Sequence, residues 1–339
     1  MKEFKKIVLI NLFLLASIIT FAQDLHFSQF YNSPLTTNPA NTGFIPDADY
    51  RIGINYRTQW SSVLNQPYKT MSATGDAQFF RDKLQNGWLG LGGVLLSDKA
   101  GSGGLRSDKF YGSVAYHQML GLSSLLSAGF NLGYVSKRID PTALKFPDQF
   151  NGKFFDGTTA TSVQFSNLNI DYYDMQVGMN YAYFPKEDIY INAGYSIHHV
   201  NKPKESFFGD NTEVGKIPMR HIGFVNAILK VNPRVIINPN VYFTTQAKAM
   251  EINGGIQANY NLSEFGENQL IAGLYYRYKD AVIPTIGFET KKIAFTFSYD
   301  ATLSPLKTFN NYRGAAELSI VKKGFYPGNS DRQTLCPKF

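Results

Sequence analysis

The chain is 339 residues long, with 33 Lys and Arg against 26 Asp and Glu, a formal net charge of +7, one Cys and 15% aromatic residues, among them 27 Phe and 21 Tyr. The lone cysteine, Cys336, excludes an internal disulfide and a thiolate metal centre. The basic excess is modest and forms no single stripe interleaved with stacking aromatics, which argues against nucleic acid as a partner, and no apolar run beyond the N-terminus reaches the roughly 18 residues of a transmembrane helix.

In chain order, Lys2, Lys5 and Lys6 precede an apolar stretch over residues 7–19 and the small residue Ala22. This reads as a secretory signal peptide over residues 1–22, cleaved before Gln23. Residues 23–48 do not alternate; Pro34, Pro39 and Gly43 punctuate them, while Phe27, Phe30, Tyr31 and Leu35 require burial. We expect a short periplasmic N-terminal segment here that plugs or braces a barrel mouth.

Strict alternation then begins. Tyr50, Ile52, Ile54, Tyr56, Thr58 and Trp60 share one face of an extended chain, and Arg51, Gly53, Asn55, Arg57 and Gln59 share the other. The same two-residue period recurs almost to the C-terminus, as in Ile293, Phe295, Phe297 and Tyr299 opposite Thr296, Ser298 and Asp300. Predicted strands cover 49–60, 69–80, 87–98, 106–119, 123–137, 170–184, 187–199, 217–231, 233–246, 249–262, 267–280, 281–290, 292–302 and 311–321. Two of these are weakly supported: 217–231 is apolar on both faces, and 233–246 contains Pro239, which cannot donate to a ladder.

About fourteen such strands without helical pattern between them predict an all-β protein, a transmembrane antiparallel barrel spanning residues 49–321 with a periplasmic tail over 322–339. The long connections follow the third, fifth and seventh strands, whereas those after even-numbered strands are shorter. A barrel with both termini in the periplasm would place long loops outside and tight turns inside. Its aromatic-rich face would meet outer-membrane lipid, with Tyr and Trp at the interfaces, and Arg51, Asn55, Arg57 and Gln59 would face the lumen. There Asp76 and Asp300 are candidates to pair with Arg51 or Arg57. Within Tyr275, Tyr276, Arg277 and Tyr278 the tyrosines read as a membrane-boundary girdle and Arg277 as lumenal.

Catalytic patterns are sparse. Alternation places His198 and His199 on opposite faces, which defeats a shared metal site, and His26, His117 and His221 stand alone in the sequence. The glycines at residues 90–93 and 101–104 read as strand and loop positions rather than a phosphate cradle. We therefore expect no enzyme activity, no metal and no cofactor; the rival readings from the barrel itself are a channel or small-solute transporter and an outer-membrane enzyme.

One resemblance is specific. The FSQFY run over residues 27–31, preceded by Gln23 and Asp24, together with Ser33, Pro34 and Leu35, the step Asn38, Pro39, Ala40 with Thr42 and Gly43, the run NYRTQW over residues 55–60 and the terminal CPKF, resembles the PorP/SprF family of outer-membrane proteins of the type IX secretion system in Bacteroidetes. The resemblance implies a barrel that supports export or surface attachment of a cognate adhesin, linked to gliding motility or surface display. It also implies two protein partners, the adhesin's C-terminal targeting region and other secretion components. The motif residues Asp24, Phe27, Ser28, Gln29, Tyr31, Pro34, Asn38, Pro39 and Gly43 would then be structural or partner-binding.

Overall fold

A computed structural model describes residues 25–327 except 82, 102–103, 145, 209–214 and 264–266. The expected signal peptide, Asp24 and Cys336 lie outside the described residues. Fourteen antiparallel strands form β1 (Tyr50–Gln59), β2 (Tyr68–Phe79), β3 (Gly87–Ala100), β4 (Leu105–Met119), β5 (Ser124–Arg138), β6 (Asn169–Lys186), β7 (Ile189–His198), β8 (Arg220–Asn232), β9 (Val235–Gln246), β10 (Ala249–Asn261), β11 (Asn268–Arg277), β12 (Ala281–Thr290), β13 (Ile293–Thr302) and β14 (Arg313–Gly324). Each pairs with its sequence neighbours, and β1 pairs with β14 from Tyr50↔Gly324 to Gln59↔Ala315, so the sheet closes and leaves no free edge. The predicted spans all fall on these strands, with boundaries within three residues; the largest offsets include the end of β14, which runs to Gly324 rather than 321.

The alternation resolves as expected for lipid outside and polar groups inside. Ile52, Ile54 and Tyr56 are 51%, 43% and 40% exposed on the outer surface, whereas Asn55 and Arg57 on the opposite face are buried. At Pro239 the β8–β9 ladder lapses between Asn226↔Asn240 and Leu229↔Ile237, the local consequence of a missing N–H donor. Pro284 produces a similar lapse against β13, between Val282↔Ala301 and Thr285↔Ser298. The longest connections, 139–168 and 199–219, share one end of the barrel; two-residue turns at 187–188, 233–234 and 291–292 lie at the other.

The core lies inside the lumen. Residues 25–49 thread the barrel, folding through short helical turns at Phe30–Asn32, Pro34–Thr37 and Pro39–Asn41. Three clusters each join this segment to the wall: Phe27 and Leu35 with Val94, Leu96 and Tyr111; Phe30 with Ile222, Tyr242, Tyr275 and Ile283; and Phe44 with Trp88, Leu125, Phe184 and Tyr190. The segment expected to plug or brace the barrel mouth lies in the lumen, where its aromatics obtain the burial they demanded.

Two contacts set the direction of threading. Arg220, at the first residue of β8 and the long-loop end, donates from Nη1 to the Leu25 carbonyl at 3.1 Å. At the short-turn end, the Asp49 amide donates to Gly324 O at 2.8 Å. The described chain therefore begins towards the long-loop end and finishes beyond β14 at the opposite one.

Candidate functional site: a plug segment in the barrel lumen

The plug is anchored first by charge. Glu317 of β14 accepts two consecutive backbone amides, from Ser28 at 2.8 Å and Gln29 at 3.0 Å. Arg57 of β1 lies between Glu317 and Asp300 of β13, at 3.2 and 2.9 Å. Arg277 of β11 also pairs with Asp300, and it reaches Ser28 Oγ at 3.0 Å and His26 Nε2 at 2.9 Å. Ser28 Oγ in turn donates to Asp300 at 2.8 Å. Two guanidinium groups thus face two carboxylates, all buried. Desolvating them is tolerable only because each is paired and hydrogen-bonded.

Below this ring the plug is held by amides and hydroxyls. Gln29 Nε2 donates to Ser298 Oγ and to Glu317 O, both at 3.0 Å, and its Oε1 accepts from Thr296 at 2.6 Å. Asn55 of β1 contacts Ser33 through its Nδ2 and accepts from Ser319 at 3.0 Å. Tyr31 stacks on Tyr275 with ring centroids 5.1 Å apart. Pro34 opens a single helical turn, where its missing N–H costs nothing, and Leu35 on that turn is fully buried.

The Asn38, Pro39, Ala40, Thr42, Gly43 step docks where the wall carries no side chains. Asn38 Nδ2 donates to Met179 O at 2.9 Å, and its Oδ1 caps the Ala40 amide at 2.8 Å. A Cβ on Gly178 would stand 1.9 Å from that oxygen, and one on Gly90 would stand 1.9 Å from Thr42 O. Gly43 itself has φ +67°, and its backbone passes so near Gly90 that a side chain there would meet Gly90 Cα at 2.4 Å. Trp88 Nε1 donates to Gly43 O at 2.9 Å, Asp76 accepts the Gly43 amide at 2.8 Å, and Arg51 pairs with Asp76 at 2.7 Å.

Every predicted motif residue that is described, Phe27, Ser28, Gln29, Tyr31, Pro34, Asn38, Pro39 and Gly43, therefore sits in the lumen against the wall. Of the predicted lumenal polar residues, Arg51, Asn55 and Arg57 contact the plug, and Gln59 lines the outer mouth. Both anticipated ion pairs form, as Arg51–Asp76 and Arg57–Asp300. Glu317 and the inward contacts of Arg277 with the plug were not anticipated. They lie 289 and 249 residues from Ser28 in sequence, and only strand alternation marks them as inward.

The histidine expectation is corrected. His199 follows the last residue of β7 with φ +57°, which turns its ring back inside; both His198 and His199 are buried. His199 Nδ1 lies 2.9 Å from Asp174, which also accepts from Tyr111 OH at 2.8 Å. His198 Nε2 lies 3.4 Å from Ser196 Oγ. No group of three or more His, Cys, Asp or Glu positioned to hold a metal occurs among the described residues. What the arrangement does is mechanical: it fixes a peptide across the lumen. A cavity of about 520 Å³ at the long-loop end includes His26, Arg57, Lys137 and Glu205 in its lining, and a cleft of about 140 Å³ deeper in the lumen is bounded by Tyr31, Phe44, Asn192 and Phe224.

Solved outer-membrane proteins share this fold. The toluene transporter TodX of P. putida superposes with a TM-score of 0.53 at 13% identity, over 87% of this chain and 94% of that one. The Ralstonia pickettii toluene transporter TbuX gives 0.50 at 12% identity, over 86% and 94%, and a TodX monoaromatic hydrocarbon channel lacking S2 and S3 gives 0.54 at 12%, over 86% and 93%. At such identities the likeness is one of architecture. No curated protein matches the chain in sequence. The profile described as type IX secretion system membrane protein PorP/SprF matches residues 19–321. With that match covering nearly the whole chain, the protein belongs to the PorP/SprF family of type IX secretion system membrane proteins.

Proposed function

We propose that this chain is a non-enzymatic outer-membrane partner in type IX secretion that supports export or surface attachment of a cognate adhesin, rather than the conduit through which cargo passes. The observation that carries this reading is the plug. A peptide tied to β1, β11, β13 and β14 by the buried Arg57, Arg277, Asp300 and Glu317 network occupies the lumen, and a barrel of this size has little room beside it for a second polypeptide. Contact with the adhesin's C-terminal targeting region then falls to the exposed loops or the short-turn face, with the C-terminal tail on the periplasmic side. The secretion-related role at the outer membrane follows from family membership; the adhesin, the link to gliding and the lack of enzymatic activity are the proposed part.

Deleting the gene and following surface display of the adhesins tests the reading. Loss of one adhesin from the surface, with the chain co-purifying with it or with secretion components from solubilised outer membranes, is the expected outcome. Normal export and display of every adhesin in the deletion strain would overturn it.

A further inference from the structure

At the long-loop end, on the outward face of the barrel, four cationic side chains stand in one row across four neighbouring strands. Lys69 of β2 pairs directly with Lys99 of β3, Lys99 with Arg106 of β4, and Arg106 with Arg138 of β5. All four are exposed, while the adjacent Thr70 and Ser107 are buried on the lumenal face. Further along the same outward faces the residues become Met71, Leu95, Phe110 and Tyr134, between 45% and 57% exposed, as a lipid-facing band requires. The row therefore lies at the upper margin of the apolar belt.

Like charges directly opposite one another weaken an antiparallel ladder, so sheet formation does not favour such a row. Asp108, one pleat below, compensates it only in part: it pairs with Arg106 at 2.8 Å and lies 3.8 Å from Arg138. Asp171, paired with Ser136 on the neighbouring strand, adds a second carboxylate nearby. None of the ion pairs between described residues involves Lys69 or Lys99. The far side of the barrel differs. There the register at the same end reads His221, Thr245 and Met250 across β8–β10, and Tyr276, Val282 and Ala301 across β11–β13.

We propose that the Lys69, Lys99, Arg106, Arg138 row binds the phosphates of an outer-leaflet glycolipid, a lipid A-type disaccharide headgroup whose acyl chains lie against Leu95, Phe110 and Tyr134. Strands about 4.8 Å apart give the row a width of about 14 Å, enough for two phosphates carried on one disaccharide. The guanidinium groups supply paired donors to phosphate oxygens and the ammonium groups supply point charges. This uses the outward orientation of the long-loop end and is independent of the secretion reading.

The test is binding of bisphosphorylated lipid A to the purified full chain in detergent, set against dephosphorylated lipid A, inorganic phosphate and phosphatidylglycerol. Each surface cation contributes about fivefold to binding of an anionic lipid, so K69Q/K99Q is expected to weaken lipid A binding about twenty-fivefold. K279Q/K307Q, at the same end but off the row, is expected to leave it unchanged. Heat-modifiable gel mobility reports that each barrel is folded; if the double variant does not fold, K99Q alone carries the test with about a fivefold loss. Equal affinity for dephosphorylated lipid A, equal affinity of a folded K69Q/K99Q or K99Q, or displacement of lipid A by inorganic phosphate at matched concentration would each overturn the proposal.

Discussion

Glu317 is the residue whose removal most sharply separates a pinned plug from a loosely resident one. It is 1% exposed and accepts the Ser28 and Gln29 amides as well as Arg57 Nη1. Glu317→Ala leaves two buried N–H groups without their acceptor, at about 1–3 kcal/mol each. Arg57 keeps Asp300 at 2.9 Å, so the loss on its side is smaller than the roughly 3–5 kcal/mol of a buried pair broken outright. The two amides alone amount to about 2–6 kcal/mol, comparable with the whole stability of many domains, yet the loss falls on the plug, whereas the β1–β14 ladder hydrogen bonds remain. Chymotrypsin is the assay of choice, since residues 25–49 carry Phe27, Phe30, Tyr31 and Phe44 but no Lys or Arg. In the wild-type barrel these sites are expected to resist cleavage; in Glu317→Ala they are expected to be cut while the barrel stays heat-modifiable. Glu317→Gln, which retains one oxygen acceptor, is expected to give an intermediate result. If Glu317→Ala protected these aromatics as fully as the wild type at the same denaturant concentration, the argument that this carboxylate pins the plug would fail.

Gly178→Ala, whose Cβ would lie 1.9 Å from Asn38 Oδ1, is expected to cost about 1–3 kcal/mol in chemical denaturation; Gly75→Ala, with nothing within 4 Å of the added atom, is expected to be neutral. Leu35→Ala, which empties a fully buried site on the plug, is expected to destabilise by about 2–5 kcal/mol in the same measurement. In the 139–168 loop, the Ser162 amide and hydroxyl, with Thr161, hold the Asp148 carboxyl below its ordinary 3.8. That contribution to loop order is therefore fully present above the ordinary carboxyl pKa and lost as pH falls through the lowered one; the protection factor of the Ser162 amide, taken relative to its intrinsic exchange rate, is expected to fall on acidification across that range, and Asp148→Asn is expected to abolish the pH dependence.

The sheet was legible because its environments impose a period of two, and here the contrast is strong: Ile52, Ile54 and Tyr56 against Asn55 and Arg57 leave little choice of face. Even the Arg51–Asp76 and Arg57–Asp300 pairs could be anticipated, since each ion must find a counter-charge inside. The plug was only half legible. Its aromatics signalled burial, but a segment of single turns broken by Pro34, Pro39 and Gly43 carries no periodicity to say where or in which direction. Its glycine partners, Gly90 and Gly178, are read only once the register places them beneath Thr42 and Asn38. His199 escaped for a local reason: alternation fails one residue beyond a strand, where φ turns positive. The cationic row is likewise invisible along the chain, because Lys69 and Arg138 become neighbours of one site only through three ladders.

The central claim, an outer-membrane barrel closed by its own N-terminal segment, is tested most directly by planar-bilayer conductance of the full chain beside a variant lacking residues 25–48. The account predicts that the full chain inserts without sustained openings and that removal of the segment yields steady ion-conducting pores. A stable open-channel current through the intact protein, unchanged by the deletion, would contradict it and favour a solute channel.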